Sequence, residues 1–232
     1  MASLIERRGN IFTSTCDAIA ITVNCQGVMG AGIALEARLR WPTMFEAYRE
    51  VCENEELRPG GVYWWPSGGA KASVACVATK GSWRFPSQLG WVKECLEGLA
   101  EGHESHDVGS IALPRLGTSH GGLDWEAVRP WVYRILEPTR LDVEVWDFDP
   151  RAEDPWFEEL RALMRDRTAS DVSREFGISR AAAQKVSDLV ASPHVRSLLD
   201  LQGAKGVGEK TIAAVYRHLF QGGARQEMIE WG

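Results

Sequence analysis

The chain has 232 residues, is 44% hydrophobic and carries a net charge of −6 at pH 7. That length suits one large domain or a domain plus a small module, and the composition is that of a globular protein. The sequence holds no run of about 18 apolar residues, which excludes a helical membrane span, and "MASLIERRGNIF" lacks an apolar core of signal length, which predicts a cytoplasmic protein.

The five cysteines (Cys16, Cys25, Cys52, Cys76 and Cys95) are scattered and form no C-x-x-C pair. Odd in number, they read as reduced, mostly buried thiols. "HESH" at His103–His106 has the wrong spacing for two metal ligands on one helix face and reads as a solvated loop, so no metal site is expected. Charge is uneven. Residues 151–232 hold 12 basic and 12 acidic side chains, so the whole −6 falls on the first 150 residues. An acidic domain that binds phosphate must rely on backbone N–H groups and helix ends.

In chain order, "CDAIAITVNC" is a nearly continuous apolar run, as in a strand buried on both faces. The loop "NCQGVMGAG" follows, then "GIALEARLRW", a helix stopped by Pro42. "TMFEAYREVCE" is a second helix, with Thr43 as its cap and Phe45, Tyr48 and Cys52 at helical spacing. "GVYWWP" and "SVACVATK" read as strands around the turn "SGGA". "SQLGWVKECLEGLAEG" is amphipathic, with Val92, Cys95, Leu96 and Leu99 on one face. "SIALPRLG" is a short apolar strand running into the loop "PRLGTSHGG". "DWEAVRPWVYRILEP" is a helix that Asp124 can cap, and "VEVWDF" is a strand. Strands alternating with helices predict an α/β sandwich with a mixed sheet over residues 1–150. Ligands in such sheets sit beyond the carboxyl ends of strands, so the two glycine loops predict the walls of one cleft.

The character changes at "DFDPRAEDP", read as a linker, and residues 151–232 read as a small all-helical domain. "TASDVSREFGISRAAAQKV" has helix-turn-helix form: Val172 and Phe176 lie on one helix, Gly177 supplies the left-handed turn and Ile178 packs beneath it. Ser179 caps a second helix that presents Arg180, Gln184 and Lys185 outward. "GVGEKT", with Gly206, Gly208 and Lys210, lies between two apolar helical patterns and resembles a helix-hairpin-helix turn that offers N–H groups to a nucleic-acid phosphate.

The first glycine loop fails two nucleotide fingerprints. From Gly30 it reads G-A-G-I-A-L, with Leu35 where a third small residue belongs, and it lacks the G-K-[ST] of a P-loop. Four stretches in order carry a different resemblance: "GNIF", "AITVNCQGVMGAGIALEARLRWPTMFEAY", "VATKGSWR" and "ALPRLGTSHGGLDWEAV". Over residues 3–149 the chain resembles a macrodomain of the branch of DNA ADP-ribosyl glycohydrolases similar to DarG. The resemblance implies a three-layer sandwich and an ADP-ribose cleft. Asn10 and Ile11 fall at the adenine end, where many macrodomains have Asp for Asn10. Asn24 falls at the distal ribose, the one that bears the modification. Gly30, Ala31, Gly32 and Ile33 form one phosphate loop. Gly117, Thr118, Ser119, His120 and Gly121 form the other.

Spacing alone reads Lys80 as an exposed lysine at a strand end. The resemblance implies that it is the catalytic residue, in a "TK-x-x-W" setting, either as an amine attacking the anomeric carbon or as an ammonium that stabilises or protonates the leaving group. Some relatives place an aspartate in the second loop to resolve a lysine adduct, and Gly121 stands at that position here, which favours a DNA-directed enzyme over a protein-glutamate hydrolase. Asp124 lies three residues later, as a helix cap or a catalytic group. His120 gives the loop its shape or approaches the ribose. Trp83 walls the cleft, stacks on a nucleobase or packs in the core. The implied activity is release of ADP-ribose from a DNA base, thymine in single-stranded DNA, reversing a DarT-like transferase toxin. The implied partners are that DNA and that toxin, either of which the helical tail at 151–232 would hold, with ADP-ribose as product and no metal or redox cofactor. The alternative is a macrodomain that reads ADP-ribose without cleaving it, tethered to a nucleic-acid-binding tail.

Overall fold

The computed structural model describes residues 3–66 and 72–221; the "SGGA" turn at 67–70 lies outside them. The chain divides into two compact units, Met1–Pro150 and Arg151–Gly232.

The first unit is built on a sheet of six strands: β1 (Leu4–Gly9), β2 (Ala18–Asn24), β3 (Val62–Trp65), β4 (Ser73–Lys80), β5 (Ser110–Pro114) and β6 (Asp142–Phe148). Their order is β1-β6-β5-β2-β4-β3. All neighbours pair in parallel except β3, which runs antiparallel to β4 at one edge. β2 and β4 are central and almost wholly buried, as their unbroken apolar runs require.

Four helices cover the sheet: α1 (Gly32–Arg40), α2 (Pro42–Glu53), α3 (Leu89–Gly102) and α4 (Trp125–Leu136). Strand alternation decides which side each covers. Ala18, Ala20, Ala75 and Val77 point into the core made with Val92, Cys95, Leu96 and Leu99 of α3 and Val128, Val132 and Leu136 of α4. The opposite face meets α1 and α2, where Cys76 lies 3.7 Å from Met44 and Tyr48 donates to the Asn24 carbonyl at 2.6 Å. The result is helix, sheet, helix: three layers, as expected.

Several local expectations need correction. The sequence reading offered no strand for "LIERRG", yet it forms β1. Four of its six residues are exposed, because an edge strand needs no apolar alternation when its side chains pair across and around the sheet. Arg7 meets Glu144 at 2.6 Å and Glu6 meets Arg129 at 2.5 Å. Helix α2 starts at Pro42, with Trp41 in the cap position, so Thr43 is inside the first turn; proline's fixed φ suits N1. "HESH" is only partly solvated. His103 is buried, with Nδ1 2.8 Å from the Val108 carbonyl, and His106 stacks on Trp64.

The second unit is helical: α5 (Pro155–Met164), α6 (Ala169–Phe176), α7 (Arg180–Ala191), α8 (Leu198–Gly203) and α9 (Glu209–Gln221). Part of the expected linker is the start of α5. Buried Asp154 caps that helix through the Trp156 and Phe157 N–H groups and also accepts from the Leu198 N–H at the start of α8 at 2.8 Å. Val172 and Phe176 are buried on α6, Gly177 takes φ 66, and Ser179 caps α7.

Candidate functional site

Parallel pairing sends the carboxyl ends of β1, β6, β5, β2 and β4 to one edge of the sheet. At about 4.8 Å between neighbours, β1 and β4 end roughly 19 Å apart. The predicted residues fall along this edge in strand order. Asn10 and Ile11 follow β1, in a turn that packs against β5. Gly117–Gly121 follow β5, Asn24–Ile33 span the end of β2 and the start of α1, and Lys80 and Trp83 follow along β4.

The turn after β1 is closed by Asn10, whose side-chain oxygen accepts from the Phe12 N–H at 3.1 Å, a cap that an aspartate would also supply. Phe12 is buried beneath the Arg40 guanidinium, 4.3 Å from its ring, and Arg40 pairs with Glu36 on its own helix. The first glycine loop's helix is thereby fastened to the turn that carries Ile11.

Asn24 is buried and shapes the first loop from within. Its amide donates to the Val28 carbonyl at 2.6 Å and its oxygen accepts from the Gln26 N–H at 2.9 Å. Tyr48 holds the Asn24 carbonyl from below; burial pushes its phenol far above the usual range, so it stays a donor. Gly30 and Ala31 are exposed, and α1 begins at Gly32 with Ala31 as a cap residue that makes no side-chain bond. Its first N–H groups are open to an acceptor. Cys25 is no competing nucleophile, since burial pushes its thiol up to about 11.

Gly117 in the second loop takes φ 71, and a Cβ there would lie 2.7 Å from Leu123 and 3.0 Å from Val92. Ser119 holds φ 42, rare for a residue with a side chain. Gly121 sits on Ser87: the Ser87 N–H donates to the Gly121 carbonyl at 2.9 Å, and a Cβ on Gly121 would lie 2.6 Å from the Ser87 hydroxyl. Asp124 accepts from the Glu126 N–H and caps α4.

Lys80 joins the two loops. It ends β4, pairs with Asn24 across a register shift, and its Nζ donates to the His120 carbonyl at 2.5 Å. The His120 ring lies against Gly32 of the first loop, within ordinary contact of a Cβ built there. A half-buried ammonium therefore stands against the carbonyl of the second loop, at the end of a strand paired with the start of the first. Such an arrangement can hold an anionic ligand and present one cation to whatever is attached at its far end. Among the described residues, no group of three His, Cys, Asp or Glu side chains could hold a metal, and no helix is long and apolar enough to cross a membrane.

Sequence reasoning missed Tyr48 and Ser87 as supports of the two loops. Tyr48 carried only a helical-core signal, and nothing local marks Ser87 as the neighbour of Gly121. In the second unit, Arg180, Gln184 and Lys185 are exposed on α7, and Gly206 (φ 92), Gly208 and Lys210 lie at the turn into α9. The Lys185 stem crosses Gly206, 3.3 Å from a Cβ built there, so both candidate nucleic-acid segments meet at one place. Gln184 is tied to Asp188 at 2.8 Å.

The Macro domain family profile matches residues 21–132. A Thermus aquaticus protein named DNA ADP-ribosyl glycohydrolase is 35% identical over 145 residues, 62% of this chain and 40% of that protein. The macrodomain of Thermus aquaticus DarG superposes with a TM-score of 0.60 at 34% identity, covering 65% of this chain and all of that one. A Mycobacterium tuberculosis protein of the same name is 38% identical over 123 residues, 52% of this chain and 35% of that protein. The macrodomain of Mycobacterium tuberculosis DarG superposes with a TM-score of 0.61 at 31% identity, covering 63% of this chain and 98% of that one. A Thermosipho africanus protein named as a DNA ADP-ribosyl transferase–glycohydrolase fusion is 27% identical over 161 residues, 62% of this chain and 41% of that protein. The chain thus spans about 40% of the length of the curated relatives it matches.

Proposed function

Because the chain belongs to the macrodomain family, we propose that its first unit hydrolyses the N-glycosidic bond between ADP-ribose and a DNA base. The substrate is ADP-ribosylated thymine in single-stranded DNA, and the reaction reverses a DarT-like transferase. The observation that carries this reading is the place of Lys80: at a strand end beside Asn24, with Nζ reaching the second glycine loop. Relatives named for this activity support it, and the fusion relative supports a transferase partner.

The chemistry follows from the order of groups along the sheet edge. The turn at Asn10 and Ile11 takes adenine. The N–H groups at Gly30–Ile33 and Gly117–Gly121 take the diphosphate, which suits neutral donors in an acidic unit. The second N–H of the Asn24 amide meets a distal ribose hydroxyl. Lys80 then lies at the anomeric carbon, exchanging its bond to the His120 carbonyl for the substrate. As the free amine it attacks the anomeric carbon while the bond to thymine breaks and the base takes a proton, and water then hydrolyses the lysine adduct to ADP-ribose and the amine; as ammonium it gives its proton to the departing base while water adds to the anomeric carbon.

Gly121 sharpens the substrate class. A carboxylate at this position would have to displace Ser87, so an adduct-resolving aspartate is absent from the loop, which fits a DNA-linked rather than a glutamate-linked ADP-ribose. The second unit delivers DNA through the α6–α7 and α8–α9 turns, where Lys185 and Lys210 supply charge. Its contribution is read from the slope of affinity against salt, which Lys185→Gln with Lys210→Gln should flatten.

The test offers the protein equal amounts of ADP-ribose linked to a thymine oligonucleotide and to a glutamate peptide. Release from the oligonucleotide at least a hundredfold faster is expected. Equal release would overturn the substrate class, and binding of ADP-ribose without release from either would make the protein a reader.

A further inference from the structure

The first unit is acidic, yet the three segments that form the cleft are free of acid. Asn24–Leu35, Lys80–Lys93 and Ser110–Leu123 contain Lys80, Arg84, Lys93 and Arg115 and no Asp or Glu, although the first 150 residues carry 20 acidic side chains. Of the carboxylates that border these segments, Glu36 pairs with Arg40 and Asp124 caps α4, and Asp147 on the neighbouring strand pairs with Arg115 at 3.1 Å. Exposed apolar bulk gathers at the same edge. Among the described residues, the exposed large hydrophobic side chains are Ile5, Val28, Trp83, Phe85 and Phe148. All but Ile5 sit at the carboxyl ends of strands or in the loops that follow them.

Trp83 and Phe85 share the short loop after Lys80, at 49% and 66% exposure. The Arg84 guanidinium lies 4.3 Å from the Trp83 ring centroid, a cation held on an aromatic face. The loop is held at both ends and within. The Cys25 N–H donates to the Gly81 carbonyl at 3.2 Å, the Phe85 N–H to the Ser82 carbonyl at 3.2 Å, and the Ser87 N–H to the Gly121 carbonyl at 2.9 Å. Two aromatic rings and a guanidinium are thus displayed on a turn tied to both glycine loops. Rings left in water add nothing to folding, and their grouping on one turn marks an interaction surface.

We propose that the Ser82–Phe85 turn is a stacking platform for the nucleotides that flank the modified one on a single DNA strand. The inference rests on the reading that the modified nucleoside sits at Lys80. Trp83 and Phe85 each take the face of a neighbouring base, and Arg84 faces the phosphate between them. Stacking needs unpaired bases, since in a duplex the base faces are already covered. The platform therefore selects single strands without reading sequence, because every base has a π-face.

The experiment uses the full chain carrying Lys80→Ala, so binding is read without cleavage. The probe is a ten-nucleotide single strand with one ADP-ribosylated thymine and 2-aminopurine as its neighbour, compared with the same strand in a duplex and with ADP-ribose alone. The single strand should bind at least tenfold tighter than ADP-ribose and quench the 2-aminopurine. With 2-aminopurine placed in turn on the 5′ and the 3′ side of the modified thymine, Phe85→Ala should remove the quench from one placement and weaken the strand about tenfold, with affinity for ADP-ribose unchanged; Arg84→Gln should weaken the strand while keeping the quench in both. Equal binding of strand and duplex, or a quench unchanged in both placements in Phe85→Ala, would overturn the platform. Loss of the glycohydrolase reading would show separately, as a Lys80-intact chain that binds the strand and releases no ADP-ribose.

Discussion

At the residue scale, the cleft depends on glycines that leave room and on side chains that hold carbonyls. Gly117 is the sharpest case, combining a left-handed backbone with close contacts to Leu123 and Val92. Gly117→Ala should destabilise the first unit by about 3 kcal/mol, the sum of the left-handed penalty and overpacking. It should also lower ADP-ribose affinity more than a destabilised variant remote from the cleft does. A thermal melt with a binding isotherm checks it; an alanine tolerated within about 0.5 kcal/mol would mean that the second loop is not fixed as described. The glycines of both loops were legible in the sequence because each follows an apolar run at a strand end. Ser87 and Tyr48 were not, since their roles arise from contacts between segments 34 and 24 residues apart.

At the element scale, buried strands and amphipathic helices declared themselves through periodicity, and edges did not. β2 and β4 are apolar throughout, whereas β1 is held by ion pairs to Glu144 and Arg129 that no local pattern announces. The chain after β6 was misread for a related reason. "EDP" looks like a linker, but Asp154 and Pro155 are a helix cap and its first residue. In the second unit, His218 stacks on Phe176 and is held below its usual 6.5 by burial, with Arg167 adding to the effect. Arg167 also pairs with Glu175, the carboxylate 3.5 Å from His218. A depressed imidazole means that the unfolded chain takes up the proton first. Stability is therefore complete above about pH 6.5 and declines as pH falls below it. Chemical denaturation should show that decline as pH falls below about 6.5, and His218→Gln should flatten it. A decline of the same size in His218→Gln would assign the effect to other groups.

At the scale of the whole molecule, an acidic sandwich carries three cleft segments without Asp or Glu, and a charge-balanced helical unit follows it. The α/β sandwich with its mixed sheet was readable in advance because strands and helices alternate, its three layers were implied by the resemblance to macrodomains, and the candidate site was placed by the rule that ligands sit at the carboxyl ends of strands. The bond between Lys80 and the His120 carbonyl was not readable, since it depends on β5 and β4 flanking β2. The central claim is that Lys80 breaks the bond while the loops hold the ligand. A single-turnover assay on an ADP-ribosylated thymidine oligonucleotide, paired with calorimetric titration of ADP-ribose, separates those two tasks. Lys80→Ala should lose release by at least a thousandfold and keep its affinity for ADP-ribose within about threefold, as removal of a group that acts on the transition state requires. A Lys80→Ala protein that releases ADP-ribose at the wild-type rate would contradict the account.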